Sequence, residues 1–326
     1  MVVMVVLNGE WRTFKLRIEV CMNYAKLTPG EGFSPIRSLF YYSQRIVTIP
    51  ALRRFLTQLI RAALCMFRHP SYSSAIVPAE QLLALKVLDS TGYVSLGKIL
   101  NSSQCSDIHN YLRDKELSDR HNDTHKFRLA DISDDVRLAD YHLRDVVNCP
   151  HILEVANCPL LLRLAEQYIG CTPTISALGL RWSFPQQFGE SPLQAFHRDA
   201  DDWRFVKVMI YLTDVGLDEG PHMFVLGTHL TKATARLHFY SDDSIYDRHG
   251  RDGVVTAIGE RGMAFAVDTA GIHKGNVPTR NARLMLQIQY SLLPNYSYSY
   301  CPEECESPST FNKYINRLIV KNSTGN

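Results

Sequence analysis

Residues 196–215 read FHRDADDWRFVKVMIYLTDV, and they combine potential metal ligands with a strand pattern. The part that begins at Phe205 is a β-rich run ending in a Thr-Asp turn. Ahead of it, one residue separates His197 from Asp199. Because alternate residues of a strand face the same side, this imidazole and this carboxylate can reach one metal ion. The stretch therefore predicts β structure that carries a metal site.

Four further β-rich runs surround this stretch, and clusters of Gly, Pro and Asp separate them. They are ISALGLRWSF (175–184), HMFVLG (222–227), MAFAVD (263–268) and RLMLQIQYSLL (283–293). Helical patterns precede them at 102–113 and 150–170. Residues 114–145 are rich in Asp, Arg and His and are expected to form a loop with a short helix facing the substrate. Helices followed by many short strands predict a mainly β fold with flanking helices and a jelly-roll or barrel core.

The third metal ligand is predicted in DTAGIHKGN, residues 268–276, where His273 follows a strand and precedes a turn. With His197 and Asp199 it would complete the two-histidine, one-carboxylate arrangement that suits oxygen-activating iron(II). Three protein ligands leave three coordination positions, of which a bidentate 2-oxo acid can fill two and dioxygen the third.

Three cations are candidates for binding the co-substrate. Arg283 begins the strand that follows His273, and its guanidinium can hold a distal carboxylate bidentately. Lys207 is a second-choice anchor, although a surface-facing lysine is expected there. Arg181 is expected to line the substrate or co-substrate pocket.

Several neighbouring residues are not assigned to the metal. Asp201 and Asp202 are expected to be solvated or paired with Arg204. His222 and His229 are seven residues apart, a spacing that fits no common ligand pair on one hairpin face.

Taken together, these segments resemble the phytanoyl-CoA dioxygenase family over residues 88 to about 293. DSTGYVSLGKILNSSQCSDIHNYL (89–112) is similar to the opening segment of that family, and FHRDADDW to its metal motif. YLTDVGLDEGPHMFVLGTHL (211–230) is similar to its central strand and turn, with Leu226 and Thr228 in place of the usual Pro and Ser. The closing His and Arg strands resemble DTAGIHKGN and ARLMLQIQYS.

The resemblance implies a double-stranded β-helix (cupin-like) fold, iron(II) and 2-oxoglutarate, and release of succinate and carbon dioxide. Ascorbate is an optional reductant. Because Asp199 is present, the resemblance favours hydroxylation over halogenation. Some relatives have a co-substrate-binding Ser where this chain has Gly275, so that contact is not carried over.

The function predicted from these features is a 2-oxoglutarate-dependent dioxygenase that hydroxylates a small-molecule or lipid-like metabolite. A desaturase, epimerase or cyclase on the same scaffold is the alternative within enzymes. A jelly-roll binding protein without turnover is the alternative outside them, and the intact set of His197, Asp199, His273 and Arg283 argues against it.

The chain is predicted to have three parts: a basic extension (1–85), the oxygenase domain (86–295) and a tail (296–326). Between Glu31 and Glu80 there is no acidic residue, but there are six arginines. Within this span, residues 50–68 predict an amphipathic helix. Its apolar face is expected to pack on the oxygenase domain; the alternative is peripheral contact with an anionic membrane.

Composition excludes some classes of protein. A formal net charge of +2 argues against a nucleic-acid binder. The eight cysteines contain no CxxC pair and are expected to be free thiols. The apolar run at the start, MVVMVVL, is short for the core of a signal peptide and no basic region precedes it, so a cytoplasmic location is expected. The oligomeric state is left open.

Overall fold

The computed structural model describes residues 2–7, 10–15, 23–67, 78–122, 124–185, 194–233, 237–305 and 311–321, with side chains from Tyr24 onward. Its strands are β1 (Val2–Leu7), β2 (Glu10–Lys15), β3 (Asn23–Tyr24), β4 (Tyr93–Lys98), β5 (Glu116–Asp119), β6 (Lys126–Arg128), β7 (Leu138–Tyr141), β8 (Thr174–Ser183), β9 (Phe205–Tyr211), β10 (His222–Val225), β11 (Val254–Ala257), β12 (Met263–Val267), β13 (His273–Gly275), β14 (Arg283–Ser291) and β15 (Tyr298–Ser299). Its α-helices are α1 (Pro35–Ile46), α2 (Pro50–Cys65), α3 (Ala79–Thr91), α4 (Ser102–Leu112), α5 (Leu143–Val147), α6 (Ile152–Ala156), α7 (Pro159–Ile169), α8 (Asp242–His249) and α9 (Lys313–Asn316).

Eight strands form one large antiparallel sheet in the order β4-β12-β9-β14-β8-β7-β5-β6. A smaller sheet has the order β11-β10-β13. Side chains of both sheets meet in one apolar cluster, in which Phe224 and Ala257 of the small sheet join Met209, Phe265 and Met285 of the large one. The prediction of a mainly β, jelly-roll-like core with flanking helices is confirmed, and the large sheet stays open, with β4 and β6 at its edges.

Strand β14 shows how the large sheet separates two environments. Leu284, Leu286 and Ile288 point to the outer face and join the main core, which includes side chains of α7. Arg283 and Met285 point to the opposite face, towards the small sheet. Since helices cover one face and a second sheet the other, nearly every residue of the strand is buried, including the polar ones on the inner face.

Local signals explain where several helices begin and end. Helix α4 begins after Asn101, whose side chain accepts from the Gln104 N–H at 2.9 Å, while the Gln104 side chain accepts from the Asn101 N–H. Helix α3 ends at Gly92, which takes a left-handed φ of 81°. Strand β4 therefore begins only at Tyr93, although DSTGYVSLGKIL (89–100) as a whole is typical of a short strand. Helix α3 also runs across residue 85, and the division of the chain at that point stays a prediction.

The expectation for residues 114–145 was wrong, because this region contributes β5, β6 and β7 to the large sheet. These strands have only three or four residues each. Such short strands cannot display a convincing alternation, and their pairing depends on β8, which lies far along the chain. The sequence therefore lacked a local signal for them.

The N-terminal helices are attached to the sheet domain by polar contacts. Arg53 donates to the Gln44 carbonyl oxygen at 2.6 Å and to the Asp202 carbonyl oxygen at 2.5 Å. Arg45 donates to the Ala200 carbonyl oxygen at 3.0 Å. Strand β3 pairs with β15, so the segment before α1 also contacts the C-terminal part. Helices α1 and α2 thus hold the loop that follows Asp199.

Only part of the apolar face expected on α2 packs on the domain. Leu56 and Ile60 contact the main core, whereas Leu52, Phe55 and Leu59 are exposed. The helix ends at Cys65, and residues 68–70, where the sequence predicts its end, lie outside the described residues. Within the described part of the chain, no helix has both the length and the apolar character needed to cross a bilayer.

Candidate functional site

The His-x-Asp segment lies directly against β13, the strand that begins with His273. His197 and His273 form two backbone hydrogen bonds of 2.9 Å, one in each direction. The Asp199 N–H donates to the Thr269 carbonyl oxygen at 2.8 Å. The pairing at His197 is an isolated bridge rather than part of a regular strand. It nevertheless places the motif and the distal histidine side by side.

The side chains of His197, Asp199 and His273 converge on one point. One ligand atom from each lies within 4.8 Å of the others. The Nε2 atom of His197 is 3.7 Å from Asp199 Oδ1, and the Nε2 atom of His273 is 3.5 Å from Asp199 Oδ2. The three residues proposed from the sequence as metal ligands are therefore brought together with nitrogen and oxygen donors suited to iron(II).

Both imidazoles are held in the same way by the backbone. His197 Nδ1 lies 2.8 Å from the Ala195 carbonyl oxygen, and His273 Nδ1 lies 3.0 Å from the Gly271 carbonyl oxygen. A carbonyl oxygen only accepts, so each Nδ1 carries the proton and donates. Each Nε2 therefore presents its lone pair to the point where the carboxylate lies, the usual outer-shell arrangement of metal-binding histidines.

The charges at this point favour metal binding. Burial lowers the pKa of His273 to about 3 against the attraction of Asp199, so its imidazole is neutral at neutral pH. Burial alone would raise the pKa of Asp199, but Lys207 and the two histidines lower it well below its usual range. The site thus offers a neutral imidazole from His273 and a carboxylate from Asp199, beside the imidazole of His197.

Lys207 does not face the surface as the sequence suggested. It lies on the inner face of β9, and its Nζ is 2.6 Å from Asp199 Oδ2 and 3.1 Å from Asp201 Oδ2. Asp201 is therefore neither solvated nor paired with Arg204. The expectation failed because it was drawn from the charge of the side chain, whereas alternation along β9 puts Lys207 on the same face as Met209, inside.

The expectations for Asp202 and Arg204 were also wrong. Asp202 is fully buried and accepts from the Trp203 and Leu293 N–H groups, each at 2.7 Å. Burial raises its pKa to about 8 despite these donors. Arg204 instead pairs with Asp89 at 2.6 Å. The loop folds back on the end of β14, a long-range contact that composition could not reveal.

Arg283 is a buried cation without a carboxylate contact among the described residues. Its side chain is on the inner face, where Nη2 donates to Ser183 Oγ at 3.0 Å. Its Nε and Nη1 atoms are buried and have no hydrogen-bond partner in the described part of the chain. Burial lowers the pKa of Arg283 from its ordinary value, although a guanidinium stays charged at neutral pH. A Cβ on Gly275 would lie 3.2 Å from Arg283 Nη2, so the guanidinium adjoins the strand that carries His273.

Comparison with known families decides the class of protein. Residues 88–277, more than half of the chain, match the sequence model described as phytanoyl-CoA dioxygenase. The chain belongs to the phytanoyl-CoA dioxygenase family. The predicted family is confirmed, and with it the class of iron(II)- and 2-oxoglutarate-dependent oxygenases. The match ends before Arg283, so the role of that residue must be argued from its geometry.

Some solved structures are similar to the chain at low sequence identity. EctD from S. alaskensis with bound Fe is 17% identical, with 78% of this chain and 91% of that chain covered and a TM-score of 0.48. The epimerase SnoN from nogalamycin biosynthesis is 15% identical, with coverages of 66% and 81% and a TM-score of 0.48. The carbocyclase SnoK from the same biosynthesis is 15% identical, with coverages of 66% and 83% and a TM-score of 0.44. A search of curated proteins finds no match to the sequence. The family assignment rests on the sequence model and not on these likenesses.

Arg181 lies on the inner face of β8, opposite Met285, but it has a partner within the chain. Its Nε is 2.7 Å from Asp140 Oδ1, and Arg120 Nη1 is 3.0 Å from the other oxygen of the same carboxylate. Asp140 and Arg120 were not identified from the sequence, because they belong to the region expected to form a loop. Residues that are distant in sequence from the metal motif therefore join the inner face through β7.

His222 is the site residue that the sequence reasoning missed. It is buried on β10 and stacks on His273, with ring centroids 5.5 Å apart and an interplanar angle of 26°. Its Nε2 atom is buried and has no hydrogen-bond partner among the described residues. His222 pairs with Gly275, two residues past His273, so the two imidazoles lie on the same face of the small sheet. The sequence could show this only once the pairing of β10 with β13 was known.

An open space lies between the sheets beside these residues. On the central strands nearly every side chain is buried, but Ala177, Gly179, Lys207 and Gln287 on the inner face are partly exposed. Apart from its chain neighbours, no atom of the described residues lies within 4 Å of the position that a Cβ on Gly179 would take. Partial exposure in the middle of a sheet covered on both faces marks a cavity, which can accept a co-substrate or substrate.

This geometry predicts that a methyl group added at Gly271 lowers stability and that one added at Gly179 does not. A Cβ on Gly271 would lie 2.5 Å from Phe224 Cζ and 3.0 Å from Thr228 Oγ1, and the Phe224 ring is fully buried. We expect Gly271→Ala to lower the free energy of unfolding by about 1–3 kcal/mol through overpacking. Gly179→Ala, the matched control, should change it by less than about 0.5 kcal/mol because its methyl group enters the cavity. Denaturant unfolding measures both, and an equal loss in Gly179→Ala would contradict the open space.

Proposed function

We propose that the protein is a 2-oxoglutarate-dependent dioxygenase that hydroxylates a small-molecule or lipid-like metabolite, with iron(II) held by His197, Asp199 and His273. The observation that carries the proposal is the convergence of these three side chains beside a buried guanidinium, Arg283, that has no carboxylate contact within the described chain. The first set fits the metal and the second fits an anionic co-substrate.

The donor set suits iron(II) in both composition and charge. Two imidazoles and one carboxylate are the protein part of the arrangement that oxygen-activating iron enzymes use, and they leave coordination positions free. When bound, iron(II) supplies the activation of dioxygen: one oxygen atom enters the substrate, and the other enters the succinate formed as 2-oxoglutarate loses carbon dioxide. The Ala195 and Gly271 carbonyl oxygens keep the two imidazoles oriented for this task.

Arg283 is the proposed anchor for the distal carboxylate of 2-oxoglutarate. Of the three cations proposed from the sequence, Lys207 and Arg181 each contact a carboxylate of the chain. Arg283 contacts only the Ser183 hydroxyl, and two of its nitrogens are buried without partners in the described region. A carboxylate would accept from this guanidinium and neutralise its buried charge. His222 can donate a further hydrogen bond to the same ligand from Nε2.

Lys207 has a different proposed role. Its ammonium group bridges Asp199 and Asp201 and so fixes the orientation of the metal-binding carboxylate. Gly275 leaves space beside Arg283, since any side chain there would press on Nη2. The co-substrate would then lie between β13 and β14, while the cavity beside Gly179 remains for the substrate.

The metal assignment predicts that His273→Ala abolishes turnover. Loss of one of three protein ligands should weaken iron(II) binding by more than about 100-fold, beyond the effect of losing an outer-shell partner. Aerobic formation of succinate from 2-oxoglutarate, with and without ascorbate, measures the activity, and metal analysis measures the iron. His229→Ala is the control, because within the described part of the chain the only hydrogen bond of its imidazole is with the Asp89 carbonyl oxygen.

Retention of iron by His273→Ala together with its loss from His229→Ala would contradict the assignment. Mass spectrometry of candidate metabolites separates the outcomes of catalysis. A gain of one oxygen supports hydroxylation. A loss of two hydrogens indicates desaturation or cyclisation, and an unchanged mass with altered configuration indicates epimerisation.

The co-substrate assignment predicts a selective defect for Arg283→Gln. A charge-assisted contact contributes about 1.5–3 kcal/mol, so the KM for 2-oxoglutarate should rise about 10- to 150-fold while iron binding is retained. Arg280→Gln is the matched control, because Arg280 is exposed in the turn before β14. A defect confined to Lys207→Gln, or one shared by Arg280→Gln, would refute the assignment.

A further inference from the structure

A second group of charged side chains lies on the inner face of the large sheet, on the strands next to β14. Arg181 of β8 donates to the Asp140 carboxylate of β7 from Nε at 2.7 Å and from Nη2 at 3.4 Å. Arg120, which directly follows β5, donates to Asp140 Oδ2 from Nη1 at 3.0 Å. Two guanidinium groups therefore share one carboxylate. These three residues are called the Arg120–Arg181 cluster.

The cluster has one positive charge in excess. Burial alone would raise the pKa of Asp140, but Arg181 and Arg120 lower it, so its carboxylate is ionised at neutral pH and balances one of the two guanidiniums. Tyr24 and Tyr298 are within electrostatic range of Arg120, but burial raises the pKa of both, so neither hydroxyl supplies an anion. The Nε atom of Arg120 is buried and has no hydrogen-bond partner in the part of the chain that the structure describes. An anionic ligand would stabilise such a pair of cations.

The cluster borders the open space between the two sheets. Strand β8 lies between β14 and β7, yet the side chain of Arg181 is 24% exposed. Because β8 has a neighbour on each side, this exposure is to the cavity and not to a free edge of the sheet. Arg181 also lies two residues after Gly179 and on the same face, beside the space that we propose for the substrate.

The cluster belongs to the same cavity as the proposed metal site. Tyr298 is within electrostatic range of Arg120 and also of Asp201, which lies two residues after Asp199. A ligand in this space can therefore contact the cluster at one end and lie next to the proposed metal ligands at the other.

The co-substrate leaves the excess charge of the cluster unbalanced. One carboxylate of 2-oxoglutarate is assigned to Arg283, and the other belongs to the end that binds the metal. Arg181 is within electrostatic range of Arg283, and their mutual repulsion favours a second anion in the cavity. That anion has to come from another ligand, and the substrate is the ligand that occupies the remaining space.

We propose that the substrate carries an anionic group, a carboxylate or a phosphate, that binds Arg181 and Arg120 while the carbon that reacts faces the metal site. The inference rests on the proposed function, and it narrows the substrate to a small anionic metabolite. Arg181 and Arg120 are then the residues that determine specificity for its charged end.

Calorimetric titration without oxygen tests the proposal. The full chain is loaded with manganese(II) and saturating 2-oxoglutarate, so that the anchor at Arg283 is occupied. The probes are octanoate, octyl phosphate and octanol, which share one alkyl chain and differ in the terminal group. At least one of the two anions should bind about tenfold or more tightly than octanol, the smallest gain expected from a charge-assisted contact. The tighter of the two shows whether the site suits a carboxylate or a phosphate.

Arg181→Gln and Arg120→Gln should each weaken binding of that anion about tenfold or more. Each variant should fold, because Asp140 keeps one guanidinium partner. Both should bind 2-oxoglutarate much more tightly than Arg283→Gln does. Arg128→Gln is the matched control, because Arg128 is an exposed arginine on β6 at the edge of the same sheet, and it should bind the probes like the unaltered chain.

The proposal is overturned if octanol binds as tightly as both anions, or if Arg181→Gln and Arg120→Gln bind the anions like the unaltered chain. It is also overturned if Arg128→Gln loses as much binding as they do. Loss of anion binding in Arg283→Gln alone would overturn it as well, since the probes would then occupy the co-substrate anchor. A chain that binds neither manganese(II) nor 2-oxoglutarate, but binds the anion through Arg181 and Arg120, would support the anion site and refute the proposed function.

Discussion

Two backbone hydrogen bonds between His197 and His273 hold the candidate active site together. The His-x-Asp segment is not part of a regular strand, so this single bridge replaces the longer ladder that would otherwise fix it. Each imidazole is then oriented by the carbonyl oxygen two residues before it in the chain. The same local device is used twice, and it directs both Nε2 atoms towards Asp199. Backbone contacts therefore orient the donor atoms of the proposed metal site.

The second constraint is the burial of charge on the inner face of the large sheet. Burying a cation is costly unless it is paired, and the chain meets this cost in different ways at different positions. Lys207 is paired with Asp199 and Asp201, and Arg181 with Asp140. Arg283 has no such pair in the described residues, although apolar packing of Leu284 on the other face holds the strand in place. A buried cation with no counterion among the described residues suits an anionic ligand, and we propose 2-oxoglutarate as that ligand.

The features that the sequence predicted well are those with a local signal. The strands β8, β9, β12 and β14 are β-rich runs in the sequence. The single residue between His197 and Asp199 was enough to predict that their side chains lie close together. The features that it missed depend on pairing between distant segments. The inward direction of Lys207, the burial of Asp202 and the stacking of His222 on His273 follow from which strands are neighbours. Charge suggested a surface position for Lys207 and a solvated or paired one for Asp202, and the sheet topology overruled both.

The N-terminal region illustrates the same limit on a larger scale. The periodicity of α2 correctly predicted a helix with an apolar side, but it could not show that Leu56 and Leu59 would meet different surroundings. That division depends on where Arg53 and Gln44 attach the helices to the loop containing Asp202. The attachment places α1 and α2 next to the loop that follows Asp199. The position of these helices relative to the site therefore depends on long-range contacts, which their own sequence does not show.

A crystal structure of the protein grown without oxygen, with manganese(II) in place of iron(II) and with 2-oxoglutarate, tests the central claim most directly. The account predicts one metal ion bound by His197 Nε2, the Asp199 carboxylate and His273 Nε2. It also predicts that the distal carboxylate of 2-oxoglutarate contacts Arg283. A metal ion bound by other residues, or a distal carboxylate held by Lys207 or Arg181 with Arg283 left empty, would contradict it.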